Sequence, residues 1–527
     1  NYLKEVSNFS GSAGFAVILK KRSYLFVDGR YTIQAKKESG NKFIICEIPY
    51  KWPKDIFKKL NIGFHPKFFT NSILYKYFYN KCNLIPINRN LVNENFKRKD
   101  HTPFYSLTNK VSGEKSILKI NRIVKLLKKK KLNYIYISAG ENICWLLNIR
   151  GNDLPNSPVA NCKLILTDNK KIYFFSPLNK VTKIKKKLNN HKISFHEEDE
   201  FFRILSFLPR GKFSIDHQTC SIFDEGLLKS KFKIKNKIDP IYFLKSIKNK
   251  TEINNMKKAH IDDGIALTKF LYWIKNRNIK NLTEKKVELK LENFRKLNKN
   301  YLYPSFDTIA GSGPNGAIIH YRSDKFSNRK LKQKDLLLLD SGGQYRWGTT
   351  DVTRTVCFTN QTKKIKEIFT RVLKGHISVA LSDIKKEKIG HNIDKKARKS
   401  LNSAGLDYRH GTGHGVGYFL NVHEGPQAIS KNNNIILNEG MILSNEPGFY
   451  LEKKFGIRIE NLVFIKKVKN KMSFENLTMA PIDKDLINFK MLSNSEKNYL
   501  FKYHLEIYSK ISRFLSTNER RWLAKLI

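Results

Sequence analysis

Short apolar runs alternate with amphipathic stretches along the first part of the chain. FAVIL (15–19), YLFVDGRY (24–31), FIICEIPY (43–50) and NIGFHP (61–66) predict strands, each a brief apolar run bounded by turn or polar residues. Between them TIQAKKESG (32–40) predicts a helix with a Gly stop, and WPKDIFKKLN (52–61) predicts another. The rhythm fades in the polar stretch NLVNENFKRKDHTP (90–103), which predicts a domain boundary near residue 105. It restarts with ILKINRIVKLLKKKKLN (117–133), whose apolar positions 118, 120, 123, 124, 126 and 127 share a helical face. YIYIS, a helix over NICWLLNI, and the strands CKLILTD and IYFFSP follow, and this second α/β block ends near Asp239–Pro240.

The third block opens with a long helix over INNMKKAHIDDGIALTKFLYWIKN (253–276), with Ile253, Met256, Ala259, Ala266, Phe270 and Ile274 near one face. His260, Asp262 and Asp263 lie on it and read as capping or surface-pairing residues rather than metal ligands. From Ser305 to Val463 the pattern is strand after strand with Gly-rich turns, with one helical interlude from Lys363 to Leu401. The tail after Pro481 predicts helices, and its Tyr, Phe, Ile and Leu stripe reads as a docking or dimer surface.

Composition narrows the class. A chain of 527 residues, 40% apolar and 12% aromatic, has material for two to four packed domains. No run approaches the ~18 apolar residues of a membrane-spanning helix, so no membrane association is expected. None of the six cysteines makes a C-x-x-C pair and most sit in apolar runs, which predicts buried thiols in a reducing cytoplasm. The net charge of +53 raises nucleic acid as a partner, but the excess is mostly Lys spread along the whole chain, with short runs such as Lys128–Lys131 and Lys185–Lys187. A solvated basic surface without specific nucleic-acid recognition is the expectation. The chain opens with Asn1 rather than Met, so a longer natural start is expected, and no signal peptide is visible.

Two Gly-rich stretches carry less than their letters suggest. GSGPNG (311–316) matches G-x-G-x-x-G, but Pro314 interrupts it and AIIHYR is expected to continue as a strand, so no helix meets a pyrophosphate. HGTGH (410–414) has no Glu after its first His and is a poor helix, unlike the zinc-protease motif. The carboxylates carry more. Asp340 ends the apolar strand DLLLL, and Asp351 starts the alternating segment DVTRTV. The hairpin loop SGGQYRWG between them is expected to bring both side chains to one sheet face. Glu446 lies where the strand MILS meets a Pro-Gly turn, and Glu460 lies in the alternating strand GIRIENLV with Arg458 on the same face. An acid at the end of a buried strand is costly unless paired or metal-bound. Four carboxylates and the imidazole of His414 suit two divalent ions, Mn²⁺ first and Co²⁺, Zn²⁺ or Fe²⁺ behind it. Such a pair lowers the pKa of a bridged water and polarises a carbonyl. His320, His410 and His423 stand near enough in sequence to donate hydrogen bonds to a peptide carbonyl.

Taken together these motifs resemble the pita-bread metallopeptidases, specifically the long three-domain Xaa-Pro aminopeptidases (aminopeptidase P). FSGSAG and VDGRYTIQA resemble the first domain, WLLNIRGNDLPNSPV the second, and LKSIKNKTEINNMKKAHIDDGIAL, FDTIAGSGPNGAIIHYR and the five ligand motifs the catalytic domain. LTMAPID, EKNYLFKYH and WLAKLI resemble its tail, and the family's greater length before FSGSAG agrees with a missing start. The resemblance implies an α/β (α+β) chain with creatinase-like N-terminal domains over residues 1–105 and 106–240, a pita-bread catalytic domain over 241–475, and a helical extension over 476–527.

The resemblance also implies roles. Asp340 chelates one ion, Asp351 and Glu460 bridge two, and His414 and Glu446 bind the other. Glu446 serves as general base and passes the proton to the leaving nitrogen, while His320 and His423 hold the scissile carbonyl and the proline. His410 lines the pocket, Arg458 orients Asp340, and Arg30 in DGRY resembles a substrate-contacting arginine, with a structural ion pair as its alternative. The implied reaction is hydrolysis between an N-terminal residue and a penultimate proline, in a cytoplasmic homodimer whose first two domains admit only short peptide ends. Prolidases share the ligand set but are shorter. Creatinase-like enzymes lack the metal ligands. Non-catalytic pita-bread binding proteins have lost some, whereas all five stand here.

Overall fold

The computed structural model describes residues 2–92, 102–188, 192–323 and 327–527. The core of NLVNENFKRKDHTP therefore lies outside the described residues. The chain forms two compact units, residues 1–245 and 246–527.

In the first unit the strand Ser23–Asp28 pairs antiparallel with Phe15–Ile18 and parallel with Ile44–Ile48. The parallel return runs through the helix Thr32–Ser39, which Gly40 closes by donating to Lys36 O. The predicted helix over 52–61 is a single turn, Pro53–Ile56. Phe57 turns extended and buries itself beside Phe26 and Leu74, and Lys59 adopts φ 56°. Burying a Phe contributes about 1.5–3 kcal/mol, more than the tenths that helix propensity offers per residue. Further along, a six-stranded sheet runs in the order Ile193–His196, Ile172–Phe175, Lys163–Thr167, Tyr134–Ile137, Lys212–Ile215, Lys233–Asn236. Lys163–Thr167 is antiparallel to both neighbours, so the sheet is mixed. The amphipathic helix Ser116–Lys129 buries Ile120, Ile123, Val124 and Leu127, as its spacing predicts, whereas Leu118, expected on the same face, is exposed.

The second unit opens with α1 (Lys250–Lys275), started by a capping box between Asn249 and Glu252. β1 (Ile309–Ser312), β2 (Leu336–Ser341) and β3 (Val352–Cys357) form an antiparallel sheet with Asp340 opposite Thr353. The helical interlude is α2 (Lys363–Ala380) and α3 (Gly390–Asn402). A second sheet follows from β4 (Gly413–Gly415), β5 (Glu424–Ile429), β6 (Ile442–Asn445), β9 (Asn461–Val468) and β10 (Lys471–Asn476), ordered β5-β4-β6-β9-β10. The hairpin of β7 (Gly448–Leu451) and β8 (Phe455–Arg458) stands between β6 and β9 in the chain. The tail forms α4 (Asn494–Ile511) and α5 (Thr517–Ala524). Much of its stripe is internal: Leu500, Tyr503, Ile507 and Ile511 share a core with Val372, Leu373 and Ile377 of α2 and Ile457 and Ile459.

Three local expectations are corrected. GIRIENLV is not one strand: the ladder stops after Arg458 and resumes at Asn461, because β8 pairs with β7 whereas β9 pairs with β6 and β10. AIIHYR does not continue as a strand. Gly313 (φ 55°) and Pro314 start a 3₁₀ helix over Gly313–Ala317, and a turn follows. That helix lies against β8, where a Cβ on Gly456 would stand 1.8 Å from Gly316 O, so only glycine allows the approach. Finally, His260 and Asp263 are buried rather than on the surface, Asp263 against Arg295 of the helix Glu284–Lys296. The six cysteines are free thiols, five of them buried. Among the described residues no helix is long and apolar enough to cross a membrane.

Candidate metal centre

The strand ends of the second unit gather the expected ligands. Asp340 is the penultimate residue of β2, and Asp351 immediately precedes β3. Because Asp340 pairs with Thr353, two residues beyond Asp351, both acids and Thr353 lie on one face of the sheet. His414 is the middle residue of β4, Glu446 follows β6, and Glu460 sits in the break between β8 and β9. That break lets the Glu460 N–H donate to Thr353 O (3.1 Å), tying it to β3.

Ligand-capable atoms of Asp351, His414 and Glu460 all lie within 4.8 Å of one another. His414 Nε2 stands 3.4 Å from Asp351 Oδ2 and 3.6 Å from Glu446 Oε1. Its Nδ1 is 2.9 Å from Gly415 O, a group that can only accept. Nδ1 therefore carries the proton of the neutral ring, and the Nε2 lone pair faces carboxylate oxygens. Lone pair against anion is repulsive unless a cation or proton stands between them. The carboxylates tell the same story. Burial raises Asp351 and Glu460 well above the ordinary range, helped at Asp351 by the charges of Asp340 and Glu446 and at Glu460 by those of Asp351, Glu446 and Asp340. Burial also raises Glu446, against the pull of His414 and Arg458. Asp340 Oδ1 is buried without a hydrogen-bond partner. Oxygen-rich and crowded, this donor set fits hard or borderline divalent ions. Asp351 keeps 6% of its side-chain surface while His414 and Glu446 keep 20% and 18%, so the cluster opens on the His414–Glu446 side.

A second row of side chains fixes the first. Arg458, 2% exposed, donates from Nη2 to Asp340 Oδ2 (2.6 Å), from Nε to Thr353 Oγ1 (3.0 Å) and from Nη1 to the Tyr450 hydroxyl (2.7 Å). Thr353 Oγ1 donates on to Glu460 Oε2 (2.8 Å). Ser444 Oγ donates to Glu446 Oε1 (3.0 Å) and accepts from the His414 N–H (2.9 Å). His410 Nδ1 donates to Gly411 O, so its Nε2 accepts from the Tyr450 hydroxyl (2.9 Å), whose pKa burial pushes up to about 12. Sequence reasoning did not single out Thr353 and Ser444, which bond expected ligands, or Tyr450, which bonds Arg458 and His410. The visible signal for Thr353 is its place two residues from Asp351 in an alternating strand.

The other predicted residues are placed as follows. The exposed His423 lies with its ring centroid 4.2 Å from that of His414. His320 is partly buried in the turn after the 3₁₀ helix. Arg30 belongs to the first unit, where Nε and Nη2 grip Asp28 at 2.9 and 2.7 Å. A second acid cluster, Cys357, Asp483 and Asp485, surrounds the Lys275 ammonium, which bonds both carboxylates, so its charge is already met.

Comparison with known proteins agrees with this picture. Residues 254–467 match the model of metallopeptidase family M24, 97–252 that of the creatinase/prolidase N-terminal domain, and 470–526 that of the C-terminal region of peptidase M24. A probable Xaa-Pro aminopeptidase P of Laccaria bicolor is 35% identical over 99% of this chain and 86% of its own length. The crystal structure of an X-prolyl aminopeptidase from Caenorhabditis elegans, described as a cytosolic enzyme with a di-nuclear active site, superposes with a TM-score of 0.92 at 30% identity, covering 100% of this chain and 91% of that one. The prolidase of Pyrococcus furiosus covers 67% of this chain and 98% of its own, with a TM-score of 0.55 and 25% identity. The α/β fold and these likenesses together show that the chain belongs to the M24 metallopeptidases with creatinase-type N-terminal regions, in the Xaa-Pro aminopeptidase P branch.

Proposed function

We propose that the protein removes the N-terminal residue from peptides whose second residue is proline, with two divalent ions at the Asp340–Glu460 cluster. The observation that carries this reading is the crowded carboxylate–imidazole cluster in a chain alike, end to end, to an X-prolyl aminopeptidase. In this reading Asp340 would hold one ion, His414 and Glu446 would hold the other, and Asp351 and Glu460 would serve both. Mn²⁺ is the first candidate, with Co²⁺, Zn²⁺ or Fe²⁺ behind it. The ions, when bound, supply Lewis acidity and lower the pKa of a water. Glu446 takes the proton of the attacking water, for which its burial-raised proton affinity suits it. It then delivers the proton to the proline nitrogen, which has no hydrogen of its own. His320 and His423 hold the scissile carbonyl and the proline, His410 lines the pocket through its bond to Tyr450, and Arg458 keeps Asp340 oriented. Arg30 is held by Asp28 in the first unit, the structural ion pair that is the alternative to a substrate contact. Domain boundaries at 105, 240 and 475, a homodimer and a cytosolic setting belong to the same reading.

The test is Mn²⁺-dependent release of arginine from Arg-Pro-Pro, beside Arg-Ala-Ala and the dipeptide Arg-Pro. Release from Arg-Pro-Pro alone, lost in Asp340→Ala and in metal-free protein, supports the proposal. Cleavage of Arg-Pro alone moves the protein to the prolidases, and no cleavage by folded, Mn²⁺-loaded protein leaves a binding role.

The raised carboxylates also predict a pH dependence of the metal-free protein. Their folded pKa values lie above the unfolded ones, so their contribution to stability is full below the ordinary carboxylate range. It is lost as pH rises through the raised values. The melting temperature gained on adding Mn²⁺ should therefore grow from pH 5 to pH 8, with protons released on binding. A gain that shrinks with rising pH contradicts the assignment.

A further inference from the structure

Arg354 is 2% exposed and carries its charge in the interior of the second unit. Among the described residues no carboxylate bonds it. Nε donates to Pro481 O (3.0 Å), and Nη1 donates to Thr353 O and Glu460 O (2.7 Å each). Nη2 faces Asn461 Oδ1 (2.8 Å), Ala480 O (2.7 Å) and the Tyr503 hydroxyl (2.8 Å). That hydroxyl donates onward to Ala480 O (2.6 Å). Five N–H groups thus meet six neutral acceptors from four separate pieces of chain: β3, the break at Glu460–Asn461, the segment at Ala480–Pro481, and α4 of the tail.

Taking an ion out of water costs several kcal/mol, and no partner anion offsets it here. A guanidinium is suited to such a place only as a rigid fork that fixes many acceptors at once. What it fixes is specific. Arg354 follows Thr353 on β3, whose hydroxyl bonds the Glu460 carboxylate and whose carbonyl accepts from the Glu460 N–H. The guanidinium grips the Glu460 carbonyl from the opposite face of the strand. Glu460 has no ladder partner of its own, because it lies where β8 stops and β9 has not begun.

We infer that Arg354 is a positioning residue for Glu460, and that the tail helix α4 takes part in metal binding by completing the Arg354 clamp through Tyr503. This rests on the proposed function, in which Glu460 and Asp351 share two ions. The clamp sets the Glu460 main chain at the height where its carboxylate meets Asp351, and the tail contributes one of the acceptors that hold the fork flat. Arg354 and Tyr503 touch neither substrate nor ion.

The experiment is calorimetric titration of the metal-free full chain with Mn²⁺ alone, comparing wild type, Arg354→Lys, Tyr503→Phe and Asp351→Ala, with melting temperatures measured before metal is added. Lysine keeps the charge and loses the fork. The weaker site in Arg354→Lys should lose on the order of 10–100-fold in affinity, as for other groups that orient metal ligands. Tyr503→Phe should show a smaller loss in the same site, with kcat lowered and KM held. Unchanged Mn²⁺ affinity in both folded variants overturns the inference, and a lowered melting temperature with wild-type binding means a structural role only. Should Arg354→Lys not fold, Tyr503→Phe decides alone. The ligand reading fails separately, and the inference with it, if wild type binds fewer than two ions or Asp351→Ala still binds both.

Discussion

Glu446→Gln lowers kcat/KM on Arg-Pro-Pro by about 10²–10⁴-fold, the range that general acid–base catalysis contributes. The substitution keeps the side chain's size and an oxygen for the ion, and removes only its capacity to take a proton. The surroundings are set for that capacity. Ser444 fixes the Oε1 edge, the Glu446 N–H is held by Thr412 O (2.8 Å), and burial keeps the proton affinity high. The Thr412 end is itself anchored: its hydroxyl donates to Asp394 Oδ1 (2.6 Å), and Arg398 bonds Asp394 and the His410 carbonyl. Main chain and carboxylate therefore stay in place when one atom changes. Mn²⁺ titration run beside the kinetics separates two ways of losing activity. A Glu446→Gln variant that still binds two ions, with kcat depressed and KM little changed, identifies the proton acceptor. Activity within tenfold of wild type at full metal occupancy assigns the proton to another group.

How far the site could be read from the sequence depends on where each residue's neighbours come from. Asp340, Asp351 and Glu446 stand out because each begins or ends a strand segment where a charge needs a partner, and His414 stands out through the motif that carries the family resemblance. Apart from Arg458, which the resemblance names, the residues that orient them do not stand out. Thr353 is one polar position in an alternating strand, and Tyr450 is one aromatic among many. Their bonds to Arg458 join it to β3, about a hundred positions away, and to the neighbouring strand of its own hairpin, and no local pattern encodes that convergence. Glu460 was legible as a ligand candidate but not in its setting. GIRIENLV alternates only as far as Ile459 and then sets Glu460 and Asn461 side by side where the chain changes partners, and apolar alternation records burial and not which strand supplies the hydrogen bonds. The strand expected after GSGPNG failed for a related reason: AIIHYR has a strand's composition, while the Gly316–Gly456 approach that bends it is a contact with a distant glycine.

Asp263 was the clearest misreading, and it leads to the largest expected change in stability. On a helix that is polar in places, an Asp beside another Asp reads as a capping or surface-pairing residue, and the pairing is present but in the interior. In the fold it is buried, with Oδ1 receiving Arg295 Nε (2.7 Å) and the Tyr345 hydroxyl (2.8 Å). Arg295 also reaches Ser341 Oγ (3.1 Å), next to Asp340. Removing one member of a buried pair leaves the other without compensation, at a cost of about 3–5 kcal/mol, whereas replacing both by apolar groups of similar size is close to neutral. Arg295→Met should therefore lower the urea midpoint of the transition that reports the second unit by a margin matching that cost. Asp263→Leu combined with Arg295→Met should recover most of it. The recovery falls short because the hydroxyls of Tyr345 and Ser341 lose a partner in the double variant, at about 1–3 kcal/mol for each left unsatisfied. Single-variant losses that add in full in the double variant contradict the pairing, because the shared ion pair is counted in both single losses.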